Sequence, residues 1–255
     1  MPTKYRISLV SYLNTKPFLY GLQHAEEARQ FALELDIPSV GGQKILDNTV
    51  DIGLVPVAVL SKLQDARIIS DYCIGADGDV KSVCLFSHVP IEEIKEVYLD
   101  YHSMTSVQLV QILFREYWKR IPQYLEAKTG YIDAIQGTTA GLIIGDRALA
   151  MFDAFPYVYD LSAAWKSLTG LPFVFAAWIT RKDIPQEVID GLNKALAFGL
   201  DHIDTVVEMY AGQQFDKETV RTYFTHNIDY QLDGTKRKAL ETFIGKIHRE
   251  TPSVV

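Results

Sequence analysis

The sequence predicts an α/β protein of two lobes with a substrate cleft between them, and three observations predict it. Strand-like runs alternate with helical patterns from residue 6 onward. A second run of the same kind begins near residue 96, and a strand-like return at 169–183 is followed only by helices. The strands are "RISLV" (6–10), "FALELD" (31–36), "DIGLVPV" (51–57), "RIISDYCIG" (67–75) and "VKSVCLFS" (80–87), each bounded by turn residues. Between them, Pro17 reads as a first-turn proline behind Asn14 and Thr15, and Ser39 as the cap of "VGGQKILDN". The resulting β-α-β-α-β order implies a parallel sheet covered by helices. The second unit holds a strand at 96–100, a helix whose apolar positions include Val107, Val110, Leu113 and Trp118, a short run at 124–127 and a buried strand at 142–144. From Pro185 the pattern is helical. A chain that leaves the first sheet near residue 87 and returns near 172 accounts for this order, with residues 1–87 and 173–255 as a large lobe and 88–172 as a small one. Clefts between lobes are preferred sites for small ligands.

Composition narrows the partners. The chain has 255 residues, 48% of them hydrophobic, and 25 Lys and Arg stand against 32 Asp and Glu for a net charge of −7. Without a polybasic segment, phosphate-backbone binding has no basis and a nucleic acid partner is not expected. Cys73 and Cys84, the only cysteines, match neither a metal pair nor a disulfide framework and read as buried free thiols. The first residues lack the apolar core of a signal peptide, and no segment approaches the ~20 apolar residues of a membrane span. The expected location is the cytoplasm, with no membrane partner; monomer and homodimer are both open.

Four polar clusters fall where open α/β sheets place their ligands, at strand ends or strand-to-helix turns. They are "SYLNT" (11–15), "VKSV" (80–83), "SMTS" (103–106) and "IGD" (144–146). Those preceding helices offer hydroxyls and free N–H groups to a carboxylate or phosphate, so a small anion fits the layout. Each also has a plain structural reading: Asn14, Thr15, Thr105 and Ser106 as caps, Gly145 and Asp146 as a turn, Ser82 as a solvent-facing strand residue. No HExxH, CxxC, GxSxG, Walker or GxGxxG pattern occurs, which removes support for zinc hydrolysis, α/β-hydrolase chemistry and the common nucleotide folds. Of the six histidines only His102 lies beside a cluster, in a place more typical of a supporting residue than of a base.

In order along the chain, "SYLNTKPF", "DIGLVPVAVL", "VKSVCLFS", "SMTSVQL", "LIIGDRAL" and "DLSAAWKSLTGLPFVFAAW" resemble the motifs of the chorismate dehydratases of the futalosine route to menaquinone. The resemblance implies a type II periplasmic-binding-protein-like fold and conversion of chorismate to 3-[(1-carboxyvinyl)oxy]benzoate and water, with no metal and no cofactor. It places Asn14 at the reacting centre, as an orienting group because an amide is a very poor base, and Ser82 beside it as a substrate-binding or proton-handling hydroxyl. It also implies that Thr105 and Ser106 bind a carboxylate, with Ser11, Gly145 and Asp146 completing the substrate-binding set. The chain departs from the family at Met104, where relatives often carry a basic residue, and in "DGDVKSV". Two alternatives stand beside this reading. Dihydroxynaphthoate synthase shares the fold and pathway but relies on a small-lobe histidine, and none occurs between His102 and His202. A non-catalytic binding protein for a small carboxylate is the other.

Overall fold

The computed structural model describes residues 4–248. In chain order, β1 (Tyr5–Val10), α1 (Lys16–His24), β2 (Phe31–Asp36), α2 (Pro38–Leu46), β3 (Ile52–Pro56) and β4 (Arg67–Ala76) build the first sheet and its covering helices. The chain then forms β5 (Val83–Ser87), β6 (Glu96–Leu99), α3 (Thr105–Glu116), β7 (Gln123–Glu126), β8 (Thr139–Ile144), α4 (Asp146–Ala150), β9 (Tyr157–Asp160) and α5 (Leu161–Thr169). It returns through β10 (Phe173–Thr180) to α6 (Gln186–Asp201), α7 (Ile203–Tyr210), α8 (Lys217–Thr222), a π-helical turn at Tyr223–Asn227, β11 (Asp229–Gln231) and α9 (Gly234–His248).

The first sheet runs β11-β4-β10-β3-β1-β2 and the second β7-β6-β8-β5-β9. In the first, β1 pairs in parallel with both β2 and β3, and β10 runs antiparallel between β3 and β4. Central strands covered on both faces read as continuous apolar runs, and all eight residues of β10, "FVFAAWIT", are buried. Helix α1 lies against α6 where two glycines meet: a Cβ on Gly21 would stand 1.9 Å from the Ala195 carbonyl oxygen, and one on Gly199 2.0 Å from that of Pro17. That contact fixes α1, and with it the turn that precedes α1.

Several details differ from the sequence reading. β5 belongs to the second sheet, so the chain changes sheet within 77–82 and not near residue 87; a buried strand reads the same in either sheet, and hydropathy cannot assign it. Ser82 stands just before β5, not within a strand. Thr15 occupies the N-cap position of α1, but its side chain does not cap the helix; its hydroxyl donates back to the Val10 and Tyr12 carbonyls at 2.6 and 2.9 Å. Ile37, not Ser39, is the N-cap of α2, with Pro38 in the first turn. The segment 157–169, unassigned from sequence, is β9 and α5, with Asp160 capping the Ser162 and Ala163 N–H groups and Gly170 closing the helix in the left-handed conformation. Both cysteines are buried free thiols. Among the described residues no helix is long and apolar enough to cross a membrane.

Candidate active site

In each sheet one strand has its successors on opposite sides, and ligands of open α/β sheets bind outside the carboxyl ends of such strands. In the first sheet this strand is β1, flanked by β2 and β3; in the second it is β6, flanked by β7 and β8. The turns leaving them, 11–15 and 100–104, face each other across a narrow cleft. Tyr12, Asn14, Ser82, Thr105, Ser106 and Gly145 line it among apolar side chains such as Val80, Ile144 and Phe175, and no charged side chain is among the described lining residues.

Asn14 is held by its backbone. Thr15 ties the turn to the end of β1, and the Tyr230 hydroxyl donates to the Asn14 carbonyl at 3.0 Å. The side-chain oxygen Oδ1 is buried and has no hydrogen-bond partner. Such an acceptor is costly without a ligand.

Ser82 is set by a strained turn. Lys81 has φ of +60°, a conformation unfavourable for a side chain with a Cβ. Its N–H donates to Asp160 Oδ2 at 2.7 Å, while Oδ1 of the same carboxylate caps α5. Burial raises the Asp160 pKa to about 6 against the Lys81, Ala163 and Ser162 N–H groups that favour its charge. The Ser82 hydroxyl accepts from Tyr223 at 2.7 Å.

Across the cleft, Ser103 caps α3 by accepting the Ser106 N–H at 2.9 Å, a role the sequence reading gave to Thr105 and Ser106. Thr105 Oγ1 accepts the Ala58 N–H at 3.2 Å, joining the two lobes, and both residues line the cleft in the first helical turn. There the helix dipole favours an anion. Met104 does not line the cleft; its sulfur lies 2.8 Å from where a Cβ on Gly42 would stand.

A second set of contacts closes the lobes over the site. The Tyr12 hydroxyl lies 2.5 Å from His102 Nδ1. Burial raises the Tyr12 pKa and, with the nearby Arg147 guanidinium acting in the same direction, lowers that of His102, so a neutral phenol donates to a neutral imidazole. Asp100, fully buried, accepts from Arg147 Nη2 at 2.7 Å and from the N–H groups of His102 and Ile144. His102 thus joins Tyr12 to the turn held by Asp100. The Tyr12 ring packs on Gly145, whose φ of +68° and ψ of −149° suit only glycine.

The expected site residues therefore divide. Asn14, Ser82, Thr105, Ser106 and Gly145 come together. Ser11 and Asp146 do not join them; with Lys16 and Tyr210 they line a neighbouring depression, and the Asp146 carboxylate is engaged by the Leu13 N–H at 2.9 Å. Burial, the largest effect, raises its pKa. Tyr223, Asp160 and Arg147 were not found from sequence. The Asp160 cap followed by Gly170 was a readable helix signal, whereas Tyr223 reaches Ser82 from 141 residues away and leaves no local one. Among the described residues no group of three or more His, Cys, Asp or Glu could hold a metal ion.

A family model described as menaquinone biosynthesis matches residues 5–249. The chain belongs to this menaquinone biosynthesis family. It is 28% identical to the chorismate dehydratase of Thermus thermophilus over 259 residues, covering 94% of this chain and 93% of that one. Among solved structures, it resembles a protein of Archaeoglobus fulgidus with a TM-score of 0.81 and 16% identity, over 97% of this chain and 98% of that one. A Candida albicans gene product described as having the generic periplasmic binding protein fold superposes with a TM-score of 0.70 and 12% identity, over 99% and 92%. The two-lobed architecture of this family member is therefore that of the periplasmic binding proteins.

Proposed function

We propose that this protein is a chorismate dehydratase, a carbon–oxygen lyase that converts chorismate to 3-[(1-carboxyvinyl)oxy]benzoate and water in the cytoplasmic futalosine route to menaquinone. The observation that carries this reading is the buried, unpartnered Oδ1 of Asn14 beside the Ser82 hydroxyl: an acceptor and a donor together complement an alcohol. Chorismate loses its ring hydroxyl and the proton on the adjacent carbon that bears the enol ether, and the ring becomes aromatic. Asn14 would accept from that hydroxyl and orient it, and Ser82 would donate to its oxygen as the C–O bond breaks.

The charge of the substrate suits the rest of the cleft. Chorismate has two carboxylates, and the described lining residues present no acidic side chain to repel them. Thr105, Ser106 and the amino end of α3 offer neutral donors and a favourable dipole for one of them. The same inventory provides no strong base, so the proton passes to a substrate carboxylate or to water. Aromatisation supplies the driving force, and the protein contributes orientation and placed dipoles. Ser11 and Asp146 support the Asn14 turn from outside the cleft.

Incubation of the purified protein with chorismate, followed by chromatography, tests the reading; the enol ether of 3-hydroxybenzoate is the expected product. Recovery of intact chorismate would sink it. Tight binding without turnover would favour a carboxylate-binding protein, the commoner use of this fold.

A further inference from the structure

We propose that Tyr223 is a positioning residue for the dehydration, locking the Ser82 hydroxyl as a hydrogen-bond donor toward the ring hydroxyl that leaves. The inference rests on the dehydratase reading and assigns part of the site to the carboxyl-terminal region, which contributes no motif to the resemblance.

Tyr223 opens the π-helical turn after α8 and is 1% exposed. Its phenol donates to Ser82 Oγ at 2.7 Å. Donation therefore runs from Tyr223 to Ser82 and from Ser82 into the cleft that it lines. Asn14 Oδ1 remains as the free acceptor. With its lone pair taken by Tyr223, Ser82 has a fixed direction for its own proton, and a hydroxyl that accepts one hydrogen bond donates more strongly in the next. Tyr230, seven residues on, holds the Asn14 backbone carbonyl, so one short segment of the tail grips both residues.

Tyr223 is not the acid itself. Burial, the largest effect on this phenol, raises its pKa, so ionisation to supply the proton would leave a buried phenolate. Its effect must pass through Ser82, and this separates positioning from a packing role.

The test uses the full-length protein and chorismate, with Tyr223→Phe, Ser82→Ala and the double variant. We expect Tyr223→Phe to lower kcat about 10- to 100-fold, below the ~10²–10³-fold of a direct transition-state donor, with KM within about threefold. The double variant should turn over no more slowly than Ser82→Ala alone. A kcat for Tyr223→Phe within about twofold of the parent, or a double variant well below Ser82→Ala, overturns the inference while leaving the dehydratase reading intact. A parent protein inert toward chorismate overturns both. Should Tyr223→Phe fail to fold, 3-fluorotyrosine at position 223 keeps the ring and its hydrogen bond with a more acidic phenol. It should raise kcat about twofold at unchanged KM, and an unchanged kcat counts against the role.

Discussion

Gly145→Ala would place a methyl group where the two lobes meet. The backbone at Gly145, φ +68° and ψ −149°, lies near a region that only glycine occupies readily, and forcing alanine into it costs about 1–3 kcal/mol. The new Cβ would also stand 2.7–2.8 Å from three atoms of the Tyr12 ring, closer than real carbon contacts allow. Tyr12 must then swing away and release its hydrogen bond to His102, worth about 0.5–1.5 kcal/mol. Together these predict a loss of roughly 2–4 kcal/mol in denaturant unfolding. Because Tyr12 walls the cleft, KM for chorismate should rise by about tenfold or more, at ~1.4 kcal/mol of lost binding per tenfold. Gly170→Ala is the matched control: it also has positive φ, +74°, but a Cβ there meets nothing within 4 Å. It should lose only the ~1–2 kcal/mol of a left-handed residue and leave KM unchanged. If Gly145→Ala loses no more stability than Gly170→Ala and keeps the parent KM, the Tyr12 contact does not hold the lobes together.

Asn14→Ala should lower kcat by about 10²-fold or more with little change in KM, as expected for a group that matters most in the transition state; equal losses in both would make it a binding residue only. Asp160→Asn keeps the α5 cap through Oδ1 but turns an N–H₂ group toward the Lys81 N–H, so the Ser82 turn should loosen and kcat fall about tenfold, with the helix content seen by circular dichroism unchanged. The same variant tests a pH effect. The folded Asp160 pKa is raised to about 6 from 3.8, so between those values the native state binds more protons than the unfolded one. The stability this group contributes is full below about pH 4 and is lost as pH rises through 6, on the order of 3 kcal/mol. Unfolding at pH 7 and pH 5 should show about 1 kcal/mol of that component in the parent and none in Asp160→Asn; parallel pH slopes would contradict it.

The fold was legible where local pattern and burial agree. β1, β3 and β10 are apolar runs because they are central strands, and Pro17 does open α1. The boundary between the lobes was not, because β5 is as apolar as β4 and nothing local says which sheet it joins. For the site, the strand-end rule and the family motifs pointed to Asn14, Ser82, Thr105, Ser106 and Gly145, which line one cleft; Asn14, Thr105 and Ser106 follow the switch strands β1 and β6, while Ser82 precedes β5 and Gly145 follows β8. Ser11 and Asp146 neighbour these residues in sequence but line a different depression. What escaped altogether was the support: Tyr223 to Ser82 and Arg147 to Asp100 are side-chain contacts between distant segments, set by tertiary packing and invisible to any periodicity.

The lone oxygen of Asn14 has a consequence for the end of the catalytic cycle. Under the proposed reaction, substrate and product both carry two carboxylates, and the water lost is neutral, so a cleft lined by uncharged groups cannot sort them by charge. What disappears is the alcohol, and with it the partner of Asn14 Oδ1. A buried acceptor left unmatched costs about 1–3 kcal/mol, enough to weaken the hold on the flat aromatic product by about tenfold or more. The group that orients the substrate would thereby favour departure of the product once the hydroxyl has gone.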